Sequence, residues 1–142
     1  MATRIDVLHS PFVFKLYNAC IKSNHTQSTL VASLANHLNL KSTFTVSTEE
    51  DIKTLLQLNS MYDLIIIKTD TFLSSDSLYQ ISIRLSKNGC LLIEKPYISP
   101  SHKYNTRNLS ALPNFHVTID LFRCALLFQR SEQVREYFRL RW

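Results

Sequence analysis

A single glycine, Gly89, stands in a chain of 142 residues, where average usage of about 7% would supply roughly ten. Glycine takes φ > 0 at no steric cost and lets backbone amides come close to a phosphate or a ribose. With one glycine, neither the G-x-G-x-x-G dinucleotide fingerprint nor the glycine-rich phosphate loop can be drawn from this sequence.

The remaining composition describes an ordinary globular chain. With 45% apolar and 19% charged side chains, the length suits one hydrophobic core, and residues 1–142 read as a single α/β domain. Apolar runs such as Leu64 to Ile67 and Cys90 to Ile93 have strand length, far short of the ~20 residues that span a bilayer. The N-terminus carries Arg4, Asp6, His9 and Pro11 and lacks the unbroken apolar stretch of a secretory signal. A cytoplasmic protein with no membrane partner is expected. Cys20, Cys90 and Cys124 are scattered inside apolar patterns without C-x-x-C spacing. They read as small buried hydrophobes, and neither a disulfide nor a bound metal is expected.

Periodicity then orders the chain. Ser10 is placed to cap a helix that begins at Pro11 and runs to Lys22, with Phe12, Leu16, Ala19 and Cys20 at helical spacing. Thr26 opens a second helix through Leu30, Val31, Leu34, Ala35 and Leu38. Thr43 to Ser47 alternates as a strand, and Thr48 caps a helix from Glu49 to Leu58 whose first turn is acidic, at Glu49, Glu50 and Asp51. Asp63 to Lys68 reads as a strand buried on both faces. A helix capped by Ser75 or Asp76 is expected to run to Ser86, and Asn88-Gly89 to turn the chain into the strand Cys90 to Glu94. Such βαβ units imply parallel strands with right-handed crossovers. Pro96 and Pro100 stop that strand, and 102–112 reads as a loop or irregular helix. HVTIDLF and RCALLFQR suit an antiparallel hairpin, and Tyr137 to Trp142 suits an edge strand with Phe138, Leu140 and Trp142 on one face.

Two segments carry a family likeness: HSPFVFKLY at His9 to Tyr17 and VTIDLFRCALLFQRSEQVREYFRLRW at the C-terminus. Together they resemble a bacterial branch of the class I S-adenosylmethionine-dependent methyltransferases. LKSTFTVSTEEDI, YDLIIIKTD and GCLLIEKPYISP stand where that family has its first, fourth and fifth strands. The resemblance implies a Rossmann-like sheet, mostly parallel, ending in an antiparallel hairpin. The departures from the family are specific. Its first loop resembles E-L-G-T-S-L-G, whereas here the stretch is Thr45 to Asp51, without glycine. Carboxylates at Glu49, Glu50 and Asp51 would face the carboxylate of the cofactor, a like-charge contact. Too few residues separate Leu58 from Asp63 for the family's second and third strands, which hold ribose and adenine. Where metal-binding relatives place acidic ligands, this chain has Lys68 and Glu94-Lys95, and a lysine ammonium cannot ligate a metal. The expectation is a degenerate cofactor loop, Ser47, Thr48, Glu49, Glu50 and Asp51, with no cofactor bound.

Candidate contacts for a ligand or partner are His9, Ser10, Lys68, Lys95 and Tyr97, with helix capping the plainer role for Ser10 and packing for Tyr97. His102, Lys103 and His116 have acid–base chemistry, but no nucleophile accompanies them in sequence and no catalytic residue is assigned. Arg135, Tyr137, Phe138, Arg139 and Arg141 would offer cations and stacking rings to single-stranded nucleic acid. A charged edge strand explains them more simply, given a net charge of only +5. The favoured function is therefore non-catalytic. It is protein interaction or assembly, as a homodimer or with another protein, through a sheet edge at Thr43 to Ser47 left open by the missing strands. The alternatives are an active S-adenosylmethionine-dependent methyltransferase with an altered pocket, and a nucleic-acid-binding module.

Overall fold

A computed structural model of the chain describes residues 10–68, 75–94, 114–121, 123–140 and 142. The chain begins with helix α1, Pro11–Leu16, capped by the buried Ser10, whose Oγ accepts from the Val13 amide at 3.4 Å. A π-helical turn, Tyr17–Ile21, continues it. The wider turn adds one residue to the helical repeat, so the consecutive Cys20 and Ile21 both reach the core beside Val13 and Leu16. Ala19, expected inward, is consequently exposed. Helix α2, Gln27–Leu38, is capped by Thr26 and ends on Asn39, which takes the left-handed conformation at φ 56°. That position usually goes to glycine, and asparagine is the commonest substitute.

Strand β1, Thr43–Val46, leads into helix α3, Glu49–Gln57, and strand β2, Tyr62–Ile67. Helix α4, Ser75–Ser82, is shorter than its apolar spacing predicts, because Leu85 already belongs to strand β3, Leu85–Glu94. Asn88-Gly89 is thus no turn into a strand but lies inside one. The β2–β3 register jumps there, from Tyr62↔Leu85 to Leu64↔Cys90. Gly89 does not have a positive φ; its need is space, since a Cβ at this position would lie 2.7 Å from the Asp63 carbonyl oxygen. Strands β4, Val117–Asp120, and β5, Cys124–Phe128, form the expected antiparallel hairpin. Strand β6, Glu136–Arg139, closes the sheet.

The result is an α/β fold with a six-stranded mixed sheet in the order β1-β2-β3-β5-β4-β6. β1–β2, β2–β3 and β4–β6 pair parallel, while β3–β5 and β4–β5 pair antiparallel. Among the described residues β1 and β6 are the terminal strands. Alternate strand residues feed two cores. On one face Leu64, Ile66, Cys90, Leu92, Leu126 and Ile119 pack beneath α1 and α2 through Val13, Leu16, Leu30 and Leu34. On the other, Val46, Ile65, Ile67, Leu91 and Leu127 meet Leu55 of α3 and Leu78 and Ile81 of α4. Phe138 and Leu140 join the first core, with Trp142 packed against it, as the alternation of the tail predicts. None of the described helices is long and apolar enough to cross a membrane.

Candidate functional site

β1, β2, β3, β4 and β6 all run in one direction, so their carboxyl ends share one rim of the sheet. Open α/β sheets hold ligands at that rim. Here it brings together Ser47 and the start of α3, Lys68, Glu94, Asp120 and Arg139.

At the end of β1, Thr48 and Asp51 form a capping box. The Thr48 hydroxyl accepts from the Asp51 amide at 3.3 Å, while Asp51 Oδ2 accepts from the amides of Ser47 at 2.7 Å and Thr48 at 3.1 Å. Amides at a helix N-terminus are the usual anchor for an anionic ligand group. Here the Ser47 and Thr48 amides, which lead into the helix, are already held by a carboxylate of the chain, and exposed Glu49 and Glu50 add negative charge beside it. Sequence reading places these five residues in one loop; the reciprocal cap follows from the T-x-x-D spacing.

Lys68, directly after β2, donates from Nζ to Glu94 Oε2 at 2.9 Å, and Gln27 Nε2 at the start of α2 donates to the same oxygen at 2.6 Å. Lys68 is thus the cationic partner of a half-buried carboxylate at the end of β3. Gln27 and Glu94 lie 67 residues apart in sequence, and no local pattern reveals their pairing.

The third group occupies the opposite face. Asp120 is 2% exposed and accepts from the Tyr137 hydroxyl at 2.7 Å, with Arg139 Nε 3.7 Å from the same oxygen. Burial, reinforced by the Asp120 carboxylate, pushes the Tyr137 phenol up to about 12. The phenol is therefore a fixed donor at neutral pH, and the group ties β6 to β4. A lone acid inside the apolar run VTIDLF is the sequence signal for such a buried partner.

Ser10 stands apart from this rim. Phe12, two residues on, packs edge to face on Phe128 at a centroid distance of 5.0 Å. Phe128 pairs with Val117, the first residue of β4, which puts Ser10 toward the amino-terminal ends of the strands. His116 is held there as well, through Nδ1 and the Gln129 carbonyl oxygen at 2.9 Å. His9, Lys95, Tyr97, His102, Lys103 and Arg141 lie outside the described residues.

Arg123 and Arg130 are engaged within the fold. Arg123 stacks 4.2 Å from the Trp142 ring centroid and donates to the His25 carbonyl oxygen at 3.2 Å. Arg130 covers the Phe12 ring at 3.8 Å and pairs with Glu132 at 3.3 Å. Cys20, Cys90 and Cys124 are buried thiols of the first core, none of them in a disulfide. Burial pushes the Cys20 thiol up to about 11 and raises that of Cys90 further, with the neighbouring thiols of Cys124 and Cys20 adding to the effect. Among the described residues no group of three or more His, Cys, Asp or Glu side chains is placed to hold a metal ion. In comparisons with known proteins no family model, no curated protein and no solved structure matches this chain.

Proposed function

We propose that this chain is a shortened methyltransferase-like domain that holds no S-adenosylmethionine and works by binding protein through the sheet edge at Thr43 to Ser47. The observation that carries the reading is the Asp51 carboxylate, which takes the Ser47 and Thr48 amides at the point where a cofactor loop would need them. A methyl donor entering there would have to displace that cap and sit beside Glu49 and Glu50, both exposed acids. The strand arrangement supports the same reading. A sheet lacking the strands beyond its first leaves that strand terminal and next to the following parallel one, and β1 is terminal and pairs parallel with β2. A terminal strand offers backbone donors and acceptors to another chain. The arginine contacts to Trp142, Phe12 and Asp120 count against the nucleic-acid alternative, because those cations already have partners within the fold.

Calorimetric titration with S-adenosylhomocysteine tests the first half. No heat of binding is expected at ligand concentrations up to about 100 μM; saturable binding tighter than that, near −5.5 kcal/mol, would restore the enzyme alternative.

A further inference from the structure

Resting on the reading of β1 as an interaction edge, we infer that its occupant is a second copy of this chain, added antiparallel so that the two β1 strands join the sheets across a two-fold axis. The direction of the backbone groups sets the geometry. The Ser42 carbonyl oxygen accepts from Asp63 and Leu64 amides at 3.1 and 3.0 Å, and that of Val46 from the Lys68 amide at 2.9 Å. Carbonyls of the even-numbered residues therefore face β2, and by the alternation of a strand the N–H and C=O groups of Thr43 and Thr45 face away from the sheet.

Charge selects the partner. β1 itself carries no charged residue and no proline, and its pairing with β2 shows no bulge. β6, the opposite terminal strand, carries Glu136 and Arg139 in the same length, which is the usual protection of an edge. The charges near β1 lie beyond its ends, with exposed Lys41 before it and exposed Glu49 after it. Reversing a second copy end for end, with Phe44 or Thr45 near the axis, brings Lys41 of each chain to the Ser47–Glu49 segment of the other. The contact is isologous, so the complementarity occurs twice. A parallel copy would instead set Lys41 beside Lys41 and Glu49 beside Glu49. On one face of β1, exposed Thr43 and Thr45 leave room for the second strand's side chains.

Sedimentation of the intact chain, paired with amide hydrogen exchange, tests the inference. A dimer is expected at about 100 μM, with Thr43 and Thr45 amides exchanging more slowly as protein concentration rises. Lys41→Glu and Glu49→Lys should each weaken association by about tenfold, and the two together should restore most of it. Circular dichroism confirms that each variant is folded, and Thr45→Pro, which removes an outward N–H, supplies a second route to a monomer. A wild-type chain that sediments as a monomer overturns the self-pairing. A dimer whose Thr43 and Thr45 amides exchange independently of concentration, or in which the double charge reversal restores nothing, overturns it too. These outcomes are separate from the cofactor titration, since a monomer that ignores S-adenosylhomocysteine refutes only the choice of partner.

Discussion

Replacing Gly89 with alanine would put a methyl carbon 2.7 Å from the Asp63 carbonyl oxygen and 2.9 Å from Cγ and Cδ1 of Leu85, where ordinary contact begins at 3.4 Å. Leu85 can turn aside, but the carbonyl belongs to the backbone of β2. It cannot withdraw without disturbing the Tyr62↔Leu85 and Leu64↔Cys90 pairings on either side. Overpacking of this kind costs about 1–3 kcal/mol. Against it stands the smaller conformational entropy of an unfolded chain with alanine, worth about 0.4–1 kcal/mol, which applies in full because Gly89 has no positive φ. The steric cost wins, and the net loss should be about 1–2 kcal/mol, a fall in Tm of about 3–7 °C for a chain of this length. Trp142, the only tryptophan, is packed under Arg123 and bonded to the Asn24 carbonyl oxygen. Its fluorescence during urea and thermal unfolding provides the assay. Asn88→Ala, at the exposed neighbouring position, should move stability by less than about 0.5 kcal/mol and serves as the control. A Gly89→Ala protein as stable as the parent, or more stable, would mean that β2 and β3 part freely at this point, and the close-approach explanation would fail.

Three further outcomes are expected. Asp51→Ala should cost about 1 kcal/mol in urea melts by releasing the Ser47 and Thr48 amides, with Asp51→Asn retaining part of the loss; equal stability of Asp51→Ala and parent would show that the cap is idle. The Lys41 amide and the Ser86 hydroxyl hold the Asp63 carboxyl below its ordinary range. Its stabilisation is therefore complete above the ordinary aspartate value, about 3.9, and is lost as pH falls through the lowered native value. Asp63→Asn should be the weaker protein at neutral pH and approach the parent in strong acid; a stability gap independent of pH refutes this. Finally, Cys20, Cys90 and Cys124 should resist a thiol reagent in the native state and react together in urea, and prompt labelling of any one in buffer would contradict their burial.

Local chemistry in this chain is legible wherever a side chain bonds to its own backbone. Ser10, Thr26 and Thr48 were identifiable as helix caps because each precedes an apolar period by a fixed offset, and each does cap a helix. Strand runs were equally plain, since Asp63 to Lys68 and the two C-terminal runs admit little but a buried strand and a hairpin. What sequence concealed depends on contacts between distant segments. Leu85 fits the face of a helix as well as it fits a strand, and only pairing with Tyr62 decides between them. Glu94 and Gln27 meet because the start of α2 lies beside the end of β3, and nothing local to either residue announces it. β6 was readable as an edge strand, but its parallel pairing with β4 rests on the Asp120, Tyr137 and Arg139 contacts across the join.

Helices α3 and α4 both pack on the same face of the β1-β2-β3 portion, while α1 and α2 hold the other. In wound sheets a cleft opens where adjacent strands send their following helices to opposite sides and the loops diverge. Between β1 and β2 the winding does not change sense, because α3 and α4 lie on the same face, so the sheet has no topological switch point there. A ligand cleft of the kind that depends on diverging helices is therefore not expected between β1 and β2.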